Sequence, residues 1–264
     1  MVKNSDIKKI LIEEWENRST FVDRLRDKYD NLWQKLETHP FLVEIGKGKL
    51  PMKKFLAYAR ENQYYISELR AAAGAGAMRA TSDSERQIMI AIQHLFPLDL
   101  ADYSFGQLAI ASGISENEIK AILDDPDFPL PATRAYTDYM FKEFATKPAG
   151  VAIASWITCP WSYSAKEIGG LSCAKTFSQA LAKHYGLDKK VADKYTYDYE
   201  DWDKHNMGIK ALKDTVNKFA EDASPTMLRI LESNFRRDIE FEYMFWDMAY
   251  RHEPDKKRKF GDYF

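Results

Sequence analysis

The chain has 264 residues, 45% of them hydrophobic and 14% aromatic, with 38 Lys and Arg against 40 Asp and Glu for a formal charge of -2 at pH 7. This length and apolar content suffice for a sizeable core in a single domain, and the near-balanced charge supplies no basic field to attract nucleic acid or an anionic membrane. A charged N-terminus and apolar runs far short of the roughly 18 residues of a membrane span predict a cytoplasmic protein, and the two cysteines, Cys159 and Cys173, are too few for a disulfide framework.

Helical periodicity runs through the chain, with prolines as punctuation at 40, 51, 97, 126, 129, 131, 148 and 225. The pattern predicts an all-α domain over 1–264 with helices at about 5–37, 51–80, 84–110, 115–123, 132–147, 149–168, 172–185, 189–221 and 225–251, and a polar tail from about 252. No run alternates as a strand would. Gly113 is placed to close one helix, Ser115 and Glu118 read as a capping box for the next, and Ser224 before Pro225 opens the last long one. The small residues of AAAGAGAMRA (71–80) suit close helix packing, and KKRK (256–259) reads as a solvated end.

Four helical seams carry polar groups where apolar ones are expected. In 51–80, Phe55, Tyr58, Asn62, Tyr65 and Leu69 recur at three-and-four spacing, which puts Asn62 in an aromatic seam. Tyr136 and Met140 pair on the helix of 132–147, and Ala152, Trp156, Cys159 and Tyr163 recur on the next, with thiol and phenol one turn apart. In the last helix, Leu228, Leu231, Phe235, Ile239, Glu242, Trp246 and Ala249 share one face, so a carboxylate stands where the pattern calls for Leu. Burying it costs several kcal/mol unless it is paired, by Arg236 or Arg237 for instance, or raised in pKa until it suits acid/base work near neutrality. Pro160 removes the amide partner of the Trp156 carbonyl and predicts a kink beside Cys159. Inward polar groups on facing helices are how bundles build ligand and catalytic sites.

Four stretches carry a family likeness: LWQKLETHPFLVEIGKGKLPMKKFLAYARENQYYI (32–66), AYTDYM (135–140), ASWITCPWSY (154–163) and EFEYMFWDMAY (240–250). They resemble the TenA or thiaminase II proteins, which have the haem-oxygenase-like helical fold and hydrolyse the exocyclic C–N bond of aminopyrimidines in thiamin salvage. The resemblance implies Cys159 as the nucleophile that adds to the pyrimidine and Glu242 as the acid/base that protonates the departing amine. Tyr136 and Tyr163 would line and hydrogen-bond the ring, and Tyr65 would tune the thiol. Tyr199 would be a further ring-binding group, with Tyr197 its rival in that segment. The same resemblance implies a homotetramer, with faces near Trp202 or 71–80 as interfaces, and no cofactor.

Two features depart from that pattern. Asn62 stands where the family usually has an aspartate that grips the pyrimidine, and an amide supplies no negative charge. The segment from Cys159 to Tyr199 is about a dozen residues longer than in typical members, with an extra helix in 169–187. A relative of the same fold, the group resembling PqqC and metal-dependent oxidases, carries a His, Asp, His pattern at four-residue spacing after such a segment. Here those positions read Tyr197, Asp201 and His205, so Asp201 and His205 remain as an alternative metal pair and an oxidase as an alternative function. A non-catalytic binder of a planar ligand is the third reading.

Overall fold

Caps and prolines decide where this chain turns. The computed structural model describes residues 20–95, 103–125, 127–163, 172–204 and 208–251, and within 197–204 the helical backbone alone. Thr20 opens the first helix, α1 (Phe21–Lys28), through a capping box with Asp23, and Tyr29 separates it from α2 (Asp30–Glu37) by a single turn residue. The long helix expected over 5–37 is therefore kinked within the part described. A helix absent from the expected pattern follows, α3 (Pro40–Gly46). Pro40 begins it rather than breaking the chain, because Pro at the first helical position forfeits no bond, and the His39 ring caps it by accepting the Phe41 N–H at 3.1 Å.

Next come α4 (Met52–Arg79), α5 (Asp83–His94), α6 (Ser104–Ala111), α7 (Glu116–Asp124) and α8 (Pro131–Thr146). Gly113 ends α6 region as expected, at φ +116°, a conformation that favours glycine. Ser115 caps α7 by accepting the Glu118 N–H at 3.1 Å. The Glu118 carboxylate does not close the box but accepts from Arg60 Nε at 2.6 Å, tying α7 to α4.

The expected helix at 149–168 is two short ones within the described residues, α9 (Ala149–Ala154) and α10 (Thr158–Tyr163), so the kink foreseen beside Cys159 is a full break. Pro160 cannot donate to the Trp156 carbonyl, which accepts the Cys159 N–H instead, at 3.1 Å. The chain continues as α11 (Cys173–His184), α12 (Lys189–Lys204), α13 (Ile209–Glu221) and α14 (Pro225–Arg251), which divides the helix expected over 189–221. Ser224 accepts the Met227 N–H at the start of α14, as expected. No strand occurs among the described residues, and no described helix is long and apolar enough to cross a membrane. The tail at 252–264, with its KKRK, lies outside the described residues.

The 28 residues of α4 make a rod of about 42 Å, which packs against α5, α7, α8 and α14. In turn α14 reaches α2, α3, α8, α9 and α10. Between them lies an aromatic cluster in which Tyr58 stacks on Trp246 at 5.4 Å, with Phe41 and Phe177 packed around both. Burying each such side chain stabilises the fold by about 1.5–3 kcal/mol relative to exposure. The small residues near the end of α4 work as expected: Gly76 leaves room for Met89 of α5 and Phe144 of α8, whose nearest atoms would lie 2.9 and 3.3 Å from an added Cβ.

Candidate active site

Four helices bring their irregular seam residues to one place. α4 contributes Asn62 and Tyr65, α8 contributes Tyr136, α10 contributes Cys159 and Tyr163, and α14 contributes Glu242, and these six together with Phe245 line one small, tight pocket. Asn62 and Cys159 are half-buried there, whereas Tyr136, Tyr163 and Glu242 are buried. Tyr199, its rival Tyr197 and Asp201 lie on α12 where side chains are outside the described residues, as does His205 altogether. Among the described residues no three His, Cys, Asp or Glu side chains cluster as metal ligands would.

The carboxylate on the last helix is not explained by an ion pair. Arg236 turns to Glu240 at 3.2 Å and Arg237 lies over the Tyr139 ring at 5.7 Å. Glu242 instead accepts the Tyr136 hydroxyl at 2.8 Å and neighbours the Cys159 thiol. With no cation beside it among the described groups, burial pushes Glu242 up to about 7, against the pull of the Tyr136 and Cys159 donors. A carboxyl so raised exchanges protons near neutrality in either direction.

One turn earlier on α14 stands Asp238, fully buried and not singled out by the seam pattern. Its Oδ1 accepts the same Tyr136 hydroxyl at 2.6 Å, and its Oδ2 accepts the backbone N–H of Thr158, the residue before Cys159, at 2.6 Å. Burial first, and then the neighbouring Glu242, raise Asp238 to about 8. The signal that could have found it is its i, i+4 relation to Glu242. Phe245, one turn further along, was also missed, because an aromatic on an apolar face reads as core; its ring lies 5.7 Å from that of Tyr65.

Burial and the charge of Glu242 both raise the Cys159 thiol, so it rests protonated. The Tyr65 hydroxyl opposes that rise, although it makes no hydrogen bond of ordinary length and is a buried donor left open beside the cavity. Nucleophilic use of this sulfur requires its proton to leave as it attacks, and Glu242 is the adjacent acceptor. The Tyr163 hydroxyl shares a short hydrogen bond with Tyr58, which orients the phenol at the cavity wall. Tyr136 is held by stacking on Phe241, at 5.0 Å and 5°, and the Tyr65 ring lies tilted against it, also at 5.0 Å.

The helical bundle has the haem-oxygenase-like fold. A domain of that fold from Shewanella denitrificans OS217 superposes with a TM-score of 0.63 at 12% identity, covering 90% of this chain and 98% of the other. A TenA family transcription regulator from a Silicibacter species superposes at 0.67 with 17% identity over 89% of this chain and 98% of that one. The chain belongs to the TENA/THI-4/PQQC family, whose sequence profile it matches over residues 26–252. Among its relatives, the aminopyrimidine aminohydrolase of Bacillus subtilis is 25% identical over 238 residues, 88% of this chain and 91% of the relative. That of Halalkalibacterium halodurans is 27% identical over 240 residues, 88% and 96% of the two chains.

Proposed function

We propose that this protein is an aminopyrimidine aminohydrolase, exchanging an exocyclic amino group for hydroxyl with Cys159 as nucleophile and Glu242 as acid/base. The observation that carries the reading is the meeting of a thiol, an unpaired raised carboxyl and three tyrosines in one cavity. Relatives of 25% and 27% identity bearing that name support the substrate class.

In this reading the planar ring lies in the slot formed by Tyr65, Tyr136, Tyr163 and Phe245, with Asn62 hydrogen-bonding its edge. Cys159 sulfur bonds to a ring carbon as the thiol proton passes to Glu242. The displaced ring electron pair forms an exocyclic double bond as the C–N bond breaks, and Glu242 returns its proton to the departing nitrogen, which leaves as ammonia. Water then adds to the exocyclic carbon and gives a proton to Glu242. The electron pair of the C–S bond returns to sulfur, the ring becomes aromatic again, and Glu242 reprotonates the thiolate. Substrate and water thus become hydroxymethyl product and ammonia with the enzyme unchanged.

The same reading makes the protein a cytoplasmic member of thiamin salvage and a homotetramer, the latter tested by light scattering. The activity is tested by product formation from a pyrimidine bearing an exocyclic aminomethyl group, with thiamin in parallel and Cys159→Ala as control. Hydroxymethyl pyrimidine made by the wild type alone is the expected result. Turnover that survives in Cys159→Ala would remove the covalent mechanism, and no turnover of either compound would remove the reading.

A further inference from the structure

The Tyr136 hydroxyl lies 2.6 Å from Asp238 and 2.8 Å from Glu242, and it has one proton to give. If both carboxyls were ionised, one contact would be oxygen against oxygen, with two like charges buried at 0% and 3% exposure and no cation paired to either among the described residues. The geometry is satisfied when one of the two carboxyls carries a proton and donates it to the Tyr136 oxygen. Two arrangements then exist. In one, Glu242 donates to Tyr136 and Tyr136 donates to Asp238. In the other, Asp238 donates to Tyr136 and Tyr136 donates to Glu242.

We propose that Asp238 is the proton-storing partner of Glu242, and that the Tyr136 hydroxyl passes the shared proton between them, switching Glu242 between acid and base. The role of the switch in turnover rests on the aminohydrolase reading; the shared proton does not. In the exchange the Glu242 O–H bond breaks as a bond forms to the Tyr136 oxygen, while the Tyr136 O–H bond breaks as a bond forms to Asp238. The trio keeps two protons and one negative charge throughout.

The surroundings favour the exchange. Stacking on Phe241 at 5.0 Å fixes the Tyr136 ring, so the hydroxyl has only its proton to reorient. The Thr158 N–H, at 2.6 Å, holds the far oxygen of Asp238 and keeps its near oxygen on Tyr136. Facing the pair from other elements are the Cys159 thiol of α10, Tyr65 of α4 and Tyr139 of α8, with Tyr58 of α4, Tyr163 of α10 and Cys173 of α11 further from Glu242. All of these are neutral when protonated, so none fixes both carboxyls as anions. On α14 itself, the Arg237 guanidinium is taken up by Tyr139 and that of Arg236 by Glu240. Burial raises both carboxyls into the neutral range, in keeping with one proton held between them.

Asp238→Asn is the variant that separates storage from scaffolding. Its carbonyl still accepts the Thr158 N–H, while its amide donates to the Tyr136 oxygen and points the Tyr136 proton at Glu242 for good. Glu242 is thereby held as a carboxylate, so its titration must move to lower pH. Infrared spectroscopy of the ligand-free protein near pH 7 is expected to show one protonated buried carboxyl in the wild type and none in Asp238→Asn. The acid limb of kcat/KM for the aminomethyl pyrimidine is expected to fall by about one pH unit or more in the variant. The proposal is overturned if the wild type holds no protonated carboxyl between pH 6 and 7, if the signal persists in Asp238→Asn, or if the limb does not move. A wild type that shows the shared proton but turns over no aminopyrimidine would sink the functional reading and leave the proton pair standing.

Discussion

The Glu61 carboxylate accepts the backbone N–H of Leu130 at 3.0 Å, so a side chain of α4 caps the first turn of α8 from across the helix interface. It also accepts the Thr133 hydroxyl, at 2.5 Å, and is only 3% exposed. The two helices so joined carry Asn62, Tyr65 and Tyr136 of the pocket. Glu61→Ala leaves the Leu130 N–H and the Thr133 hydroxyl buried without that acceptor and is expected to cost about 1–3 kcal/mol. Urea denaturation measures the loss. Glu61→Gln, which keeps an acceptor but not the charge, is expected to lose less, and an equal loss in both variants would mean that charge rather than capping matters.

Glu242→Gln keeps the shape of the acid/base and removes its proton exchange. Turnover of the aminomethyl pyrimidine is expected to fall by about 10²–10⁴, with far-UV circular dichroism unchanged. Cys159→Ser, which substitutes a poorer nucleophile at the same atom, is expected to lose most of the turnover as well. If either variant keeps the wild-type rate, that residue has been given the wrong role.

Stability should fall as pH rises through neutrality at this site. Asp238 and Glu242 have folded-state values of about 8 and 7, both above those of ordinary carboxyls. Protons are therefore bound more tightly in the folded state, and the stabilisation they bring is full at acid pH and lost as pH rises from about 4 toward 8. Asp238→Asn and Glu242→Gln remove this penalty. Each is expected to melt above the wild type at pH 8, by roughly 1–4 kcal/mol in stability, with the gap closing near pH 5. A gap that widens toward acid would reverse the sign and refute the assignment.

Much of this site was legible because helical spacing converts sequence position into direction. Leu231, Phe235, Ile239, Glu242, Trp246 and Ala249 do share the buried face of α14, which is why a Glu among them could be noticed. Asp238 sits on the same helix but beside that row, where an acidic residue next to Arg236 and Arg237 looks like ordinary surface charge. Its partners, Tyr136 and the Thr158 N–H, are 102 and 80 residues away in sequence, and no local pattern reports such pairs. Pro40 misled for a different reason. The same fixed φ that breaks a helix interior favours a helix start, and only the His39 cap tells the two apart.

Asn62 offers an amide where the family resemblance implies an aspartate, and it lies at the cavity wall, half-buried. A hydrogen bond to a charged acceptor exceeds a neutral one by about 1 kcal/mol. Asn62→Asp is therefore expected to lower KM for the aminomethyl pyrimidine by about 5–10-fold with kcat little changed, since the contact is made in both ground and transition states. Steady-state kinetics separates the two parameters. A fall in kcat instead would place a second carboxylate in conflict with Glu242.

Gly150 lets α9 lie directly on α13. A Cβ at that position would meet the Phe219 ring, with Cγ 2.8 Å away and the Phe219 Cβ closer still. The near atom belongs to the rigid base of the side chain, so Phe219 cannot swing clear by a rotamer change alone, and the helices must part. Because α9 leads through Ser155–Ile157 into the turn that presents Cys159, the shift would be felt at the thiol. Gly150→Ala is expected to destabilise the protein by about 1–3 kcal/mol and to slow alkylation or turnover at Cys159 even at temperatures where the variant is fully folded. Gly113→Ala provides the contrast. No atom lies within 4 Å of its added Cβ, but φ there is +116°, so its cost is backbone strain remote from the pocket and Cys159 should react at the wild-type rate.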